Sequence, residues 1–269
     1  MLALEGLDDD KNGATQMAVA VNGRPLWRGG NCFPEDLWGR MGFTLPADAL
    51  KKGVNRITIA NITPDQPSRS AEFADDPVKG AADPRWGWFR IAEAVILDPA
   101  GDFERAKAGD RKQPWRSGMR RAKDSVCGKA AFGGGKVELT STGEGYGLAY
   151  CAFGKDARNA MIAAAPGSRI RFAVEAAGEG KLLLRMMNYR PQPGLPGKPQ
   201  IPLRGICGRT ATLKASNAEP AALAAEPRTF RAEFVVPEKG GLVIPRVELA
   251  GPGRAALTRV SLEVLPPER

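Results

Sequence analysis

The chain has 269 residues, 43% of them hydrophobic, with 39 Lys and Arg against 30 Asp and Glu for a net charge of +9. That apolar content supports buried cores and argues against wholesale disorder, and no apolar run reaches the roughly 20 residues of a membrane-spanning helix. His is absent, which removes the commonest general base, the usual partner of a Ser or Cys nucleophile and the commonest zinc ligand. The four cysteines, Cys32, Cys127, Cys151 and Cys207, form no C-x-x-C pair, so a thiolate zinc site or redox motif is not expected. Carboxylate chemistry stays open, because a pair flanking a glycosidic bond needs no His.

Gly 32 and Pro 22 together make about a fifth of the chain, a content that suits short strands joined by many turns. In chain order, Met1-Leu-Ala-Leu4 reads as a strand. Asp8, Asp10 and Asn12 then alternate before Gly13, the opening half of an EF-hand ligand loop. The twelfth position of that loop falls on Val19, which cannot ligate, and the flanks read as strands, so the stretch is expected to be a turn. Met17–Val21 alternates at period 2 and ends at Asn22-Gly23, a hairpin signal, with Arg24–Arg28 as the returning strand. Arg40–Leu45 and Asn55–Ala60 read as strands around a short helical turn at Pro46–Gly53 closed by glycine. Residues 64–85 form a polar loop, and Phe89–Leu97 a long strand.

Residues 99–123 carry little periodicity and much charge, including the cluster RSGMRRAK at Arg116–Lys123. The Lys and Arg residues are otherwise scattered and no nucleic-acid motif is present, so no nucleic-acid partner is expected. A domain boundary is placed near Asp98, giving domains 1–98 and 99–269. Beyond it, strands are expected at Lys136–Thr140, Gly147–Cys151, Arg169–Glu175, Lys181–Arg185, Thr229–Val236, Leu242–Leu249 and Leu257–Val264. Glu219–Glu226 (EPAALAAE) invites a helix, with a loop as the alternative. Evenly spaced short strands with Gly/Pro turns give an all-β chain of two antiparallel sandwiches or jelly rolls. Cys127, Cys151 and Cys207 offer alternative disulfide pairings that the sequence does not choose between. Gly133-Gly-Gly135 lacks the Lys and following helix of a phosphate loop and reads as a turn.

Two resemblances follow from particular residues. The run of Asp8-Asp9, Val19-Ala-Val-Asn-Gly23, Phe43-x-Leu-Pro46, Leu50-Lys-Lys-Gly-Val-Asn55 and Trp88-Phe-x-Ile91 resembles galactose-binding-like β-sandwich domains of bacterial glycoside hydrolases and esterases. The usual first strands of such a domain would precede Met1, so the resemblance implies a sandwich incomplete at its N-terminus, or completed by strands from elsewhere. The second half, with Gly101-Asp-Phe-Glu104, Pro166–Phe172, Thr229–Pro237 and Val260–Val264, resembles carbohydrate-binding modules of the 4/9 type. Together they imply a non-catalytic carbohydrate-binding or accessory part of a secreted, periplasmic or surface carbohydrate-active protein. Its partners would be a glycan or polysaccharide and a catalytic domain or N-terminal segment. A structural calcium ion is implied by the first resemblance, with Asp8, Asp10 and Asn12 as its ligands. A purely structural spacer is the competing expectation, followed by a hydrolase or esterase part whose catalytic residues lie outside this chain.

Sugar recognition needs aromatic faces for the apolar side of a pyranose and planar polar groups for its hydroxyls. By that rule Trp38, Asp36, Arg40 and Trp86 are the candidates of the first half, as a loop-borne platform. Tyr146, Tyr150, Tyr189 and Arg190 are those of the second, with a Pro-rich loop following. Core or edge anchoring is the plainer role for each of these aromatics. No carboxylate, including Glu35, Asp36, Asp75, Asp76 and Glu144, sits in a context that marks it as catalytic.

Overall fold

The computed structural model describes residues 1–8, 16–31, 33, 38–62, 89–96, 101–102, 115–120, 128–133, 135–142, 146–151, 160–191 and 210–267. The chain is all-β, without an α-helix among the described residues. Its strands, in order, are β1 (Leu2–Asp8), β2 (Gln16–Val21), β3 (Arg24–Gly30), β4 (Gly39–Phe43), β5 (Ile57–Asn61), β6 (Phe89–Ile96), β7 (Gly101–Asp102), β8 (Trp115–Arg120) and β9 (Gly128–Gly133). These are followed by β10 (Lys136–Ser141), β11 (Tyr146–Cys151), β12 (Ala160–Ala163), β13 (Arg169–Pro191), β14 (Thr210–Thr212), β15 (Ser216–Asn217), β16 (Ala221–Ala222), β17 (Arg228–Val235) and β18 (Leu242–Leu265). Two compact units result. One comprises residues 1–96, 158–163 and 191–211, and the other 97–157, 164–190 and 212–269.

The first unit pairs β1 antiparallel with β4 and β6, and adds β12 parallel to β4. A strand from residues 160–163 thus belongs to this unit, which a single cut near Asp98 does not anticipate. A second sheet has β2 between β3 and β5. The alternation of β2 is that of a half-buried strand, with Met17, Val19 and Val21 buried. They join Leu2, Leu4, Met41 and Phe43 as the apolar interior, each worth about 1.5–3 kcal/mol when fully buried. Trp27 meets Phe43 with ring centroids 6.4 Å apart.

The expected hairpin at Asn22-Gly23 is present, with φ of 52° and 83°, the paired positive values of a type I′ turn. Asn22 does more than turn the chain. Its Nδ2 donates to the Ala49 carbonyl and to Asn55 Oδ1, both at 2.8 Å, while its Oδ1 accepts from the Arg56 amide at 3.0 Å. Asn55 in turn accepts from the Lys51 amide and donates to the Lys51 and Gly53 carbonyls. Both turn motifs of the sequence therefore meet at one pair of side-chain amides, and the short helical turn between them is a single 3-10 turn at Ala47–Ala49.

The second unit is organised by one antiparallel ribbon. β13 and β18 run beside each other from Arg169↔Leu265 to Tyr189↔Leu242, with register shifts at Glu175/Ala176 and Glu179/Lys181. Four separate short strands expected from the sequence are therefore two continuous ones. The ribbon bends where Gly178 and Gly180 face Gly251 and Gly253, all at positive φ. A Cβ on Gly178 would meet the Arg254 carbonyl, and one on Gly253 the Glu179 carbonyl. Only glycine lets the two backbones approach so closely through the bend. Bulges and bends of this kind allow one strand to serve two sheet layers.

Each arm of the ribbon recruits different neighbours. Arg169–Ala176 pairs with β17, and Arg259–Val260 of the same arm with β7. The other arm pairs with β15 and β16 through β13 and with β11, itself joined to β8, through β18. At the bend, Val137–Ser141 of β10 pairs with Gly253–Leu257, and β9 follows. Ile170, Phe172, Val174 and Ala176 are buried in one arm of β13 and Leu182, Leu184 and Met186 in the other, with the exposed stretch Glu179–Lys181 between them. Two expectations are corrected here. The charged stretch at 115–120 is strand, and Glu219–Glu226 is not helical, since Ala221 and Ala222 pair with Leu182 and Lys181.

The bend separates two causes of glycine dependence. Gly251 is also at positive φ, but a Cβ there meets nothing within 4 Å. Gly251→Ala should cost about 1 kcal/mol, and Gly253→Ala clearly more, by a further 1–3 kcal/mol from displaced backbone. Denaturant midpoints of the two variants check this ordering, and equal losses would contradict the close-approach account.

Candidate functional site

The outer face of the arm formed by β17, β13 and β18 carries exposed charged side chains in register. Its register sets side chains in cross-strand rows: Val235–Arg169–Leu265, Glu233–Arg171–Glu263, Arg231–Ala173–Ser261 and Thr229–Glu175–Arg259. Strand alternation sends Phe172, Phe234 and Val260 to the opposite, buried face. A trough of about 640 Å³ lies across the two middle rows, within the usual ~300–1,000 Å³ of a small-ligand site. Ala173 and Ser261, the small side chains of the outward-facing Arg231 row, make its floor. Arg171, Arg231, Glu233 and Glu263 stand around them.

The charged groups hold one another in place. Arg171 Nε donates to Glu233 Oε2 at 3.1 Å, and its Nη1 lies 3.6 Å from Glu263 Oε2. Arg169 Nη1 lies 3.5 Å from Glu233 Oε1. The hydrogen bond that Arg171 donates to Glu233, and then the charges of Glu233 and Glu263, push the Arg171 guanidinium above its ordinary pKa against the opposing effect of desolvation. These pairs are solvent-exposed, so each adds little to stability. Their consequence is geometric: planar forks are presented in fixed positions at the trough wall. One row away, Val235 is 57% exposed and supplies an apolar rim.

The residues expected to read a sugar are placed differently. Trp38 is 46% exposed in the first unit. Arg40 is corrected. It lies in β4 rather than on a loop and is 2% exposed, with Nε 2.9 Å and Nη2 2.8 Å from Glu5 Oε2, and Nη2 2.5 Å from Glu93 Oε2. Glu5 is the register partner of both Arg40 and Glu93, so one guanidinium closes three strands of the sheet. Tyr189 is likewise corrected, because at 4% exposure its ring offers no face to a ligand. Arg190 is exposed at the end of the same strand. Tyr146 and Tyr150 lie on β11, opposite Arg120 and Arg116 of β8, and their side chains are outside the described residues. Asp36 and Trp86 also lie outside the described residues. Of the calcium candidates, Asp8 ends β1 opposite Phe89, while Asp10 and Asn12 lie outside the described residues, as do Cys32, Cys127 and Cys207. No group of three His, Cys, Asp or Glu suited to a metal occurs among the described residues.

A further charged node sits in the other arm. Glu248, with a side chain 3% exposed, lies 3.3 Å from Arg185 Nη1 and 3.7 Å from Arg246 Nη1. Its burial and its two cationic neighbours mark it as a neutralised interior carboxylate.

No family model matches the chain, and no curated protein matches it. Solved structures similar to it include the enzymatically active domain of tailspike protein 4 from bacteriophage CBA120, with TM-score 0.37 and 10% identity over 56% of this chain and 19% of that one. A family 11 carbohydrate-binding module of a Clostridium thermocellum cellulosomal cellulase gives TM-score 0.35 and 10% identity over 64% of this chain and 97% of that one. A carbohydrate-binding module of family 4 gives TM-score 0.34 and 11% identity over 64% and 94%. At these TM-scores the likenesses decide neither topology nor ligand, and the all-β class rests on the chain's own strands.

The Arg40 node predicts a stability effect unrelated to ligand binding. Arg40→Met should lower unfolding free energy by about 3 kcal/mol, because it strands two carboxylates around a buried position. Arg171→Met, on the exposed face, should cost less than about 1 kcal/mol. Chemical denaturation of the two variants checks the contrast.

Proposed function

We propose that the chain is a non-catalytic glycan-binding accessory portion of a carbohydrate-active protein, and that it binds through the outer face of β17, β13 and β18. The observation that carries this reading is the trough itself. Arginine forks and carboxylates, positioned by their mutual ion pairs, surround a floor of Ala173 and Ser261. Guanidinium groups donate to ring oxygens and hydroxyls, and carboxylates accept from hydroxyls, so the set matches the alternating donors and acceptors of a sugar. Val235 and Leu265 one row away offer an apolar edge for the C–H face of a pyranose. Side chains already held in place lose less freedom on binding.

A structural role has its own supporting observation. In the first unit Val54 is 95% exposed, with Leu50 at 40%, Ile57 at 36% and Ile96 at 55%. Such a set suits attachment to another domain of the same protein. The two roles are compatible, since an accessory portion both binds and attaches.

The test is a glycan panel applied to the whole chain, alongside Ala173→Leu and Trp38→Ala variants. Filling the floor with Leu should lower affinity at least about tenfold, since it occupies the volume a ring would take. Loss in Trp38→Ala instead would move the site to the first unit. Absence of binding to every glycan would leave attachment as the function.

A further inference from the structure

The charges of the trough are not all satisfied, and the imbalance has a direction. Arg171 is shared by Glu233 and Glu263, and Arg169 leans on Glu233, so these four groups neutralise one another. Glu175, in the next row, accepts the Thr258 hydroxyl at 2.7 Å. Arg231 differs. It lines the trough and is exposed, and no ion pair reaches it among the described residues. Its cross-strand neighbour is Ala173, whose methyl group cannot cover it, with Ser261 beyond. Arg259 stands exposed in the adjoining row between two acidic register partners, Glu175 of β13 and Asp102 of β7, and is not part of the trough lining.

We propose that the ligand unit seated in the trough carries a carboxylate, making it a uronic acid, and that Arg231 receives that carboxylate. The proposal rests on the glycan-binding reading and specifies its substrate class. A guanidinium is planar, permanently charged and matched to a carboxylate by two parallel hydrogen bonds. Neighbouring strands are about 4.8 Å apart, so the floor from Arg231 across Ala173 to Ser261 spans about 10 Å, enough for one ring lying across the sheet. In that placement the Ser261 hydroxyl meets the ring's far side. Glu233, beside Arg231 on β17, and Glu263, beside Ser261 on β18, stand one row away and accept ring hydroxyls. A neutral sugar would offer that guanidinium only hydroxyl and ring-oxygen acceptors, without the charge-assisted pair.

The experiment uses the whole chain and three probes: an oligomer of galacturonic acid, the same oligomer fully methyl-esterified, and a sulfated neutral oligosaccharide. Titration calorimetry is run on the unaltered chain and on Arg231→Gln, Arg231→Lys and Arg56→Gln, the last removing an equal charge from an exposed position of the first unit. The expected result is an acidic oligomer bound at least about tenfold tighter than its ester. Arg231→Gln should erase that difference, Arg231→Lys should retain part of it, and Arg56→Gln should leave it intact. Equal binding of acid and ester would overturn the uronic-acid assignment while leaving the glycan reading in place. Preference for the sulfated probe would overturn the carboxylate match. Equal losses in Arg231→Gln and Arg56→Gln would assign binding to diffuse positive charge and overturn the site. Failure of all three probes, together with a silent neutral panel, would remove the glycan reading itself.

Discussion

The close approach of two backbones at the glycine bend is the constraint on which the second unit depends. Gly178 and Gly253 leave no room for a Cβ, each facing a carbonyl oxygen of the opposite strand. That contact lets one antiparallel ribbon, from Arg169↔Leu265 to Tyr189↔Leu242, supply both arms of the unit. The distal arm is flanked by β17 and β7, and the other arm, the proximal one, by β15, β16 and β11 among others. The trough follows from the same arrangement. It lies on the side of the distal arm opposite Phe172, Val174 and Val260, where alternation leaves charged and small side chains with Val235 and Leu265 at the rim.

Charge is used in two distinct ways. Buried charges are closed off: Arg40 by Glu5 and Glu93, and Glu248 by Arg185 and Arg246. Exposed charges on the distal arm are arranged in rows, and the Arg231 guanidinium has no ion pair among the described residues. The first kind fixes strand register, since a one-residue slip would leave a carboxylate or guanidinium buried alone. The second kind contributes little to folding and is available for recognition. Sequence inspection merges these classes, because Arg40 beside Trp38 looks no different from an arginine at a binding surface.

Much of the fold was legible in the sequence. Period-2 alternation located Met17–Val21, Arg169–Glu175, Thr229–Val236 and the two halves of β18, and Asn22-Gly23 fixed the first hairpin. What escaped had physical reasons. Trp115–Arg120 is rich in charge and lacks apolar alternation. Ala221 and Ala222 sit in an alanine-rich run that favours a helix locally, and tertiary pairing with β13 overrides that preference. β12 is four residues long, too short for a periodic signal. The trough was not legible at all. Its rows join Arg171 to Glu233, 62 residues apart, and to Glu263 farther on, and only the register reveals that they share a face. Aromatic residues drew attention instead, and of these Tyr189 proved buried.

The central claim, that the outer face of β17, β13 and β18 is where a glycan binds, is tested most directly by backbone-amide NMR of the chain titrated with oligogalacturonate. The account predicts shift changes concentrated at Arg171–Ala173, Arg231–Glu233 and Ser261–Glu263. Changes concentrated around Trp38, or at Arg185 and Arg246 of the proximal arm, would contradict it.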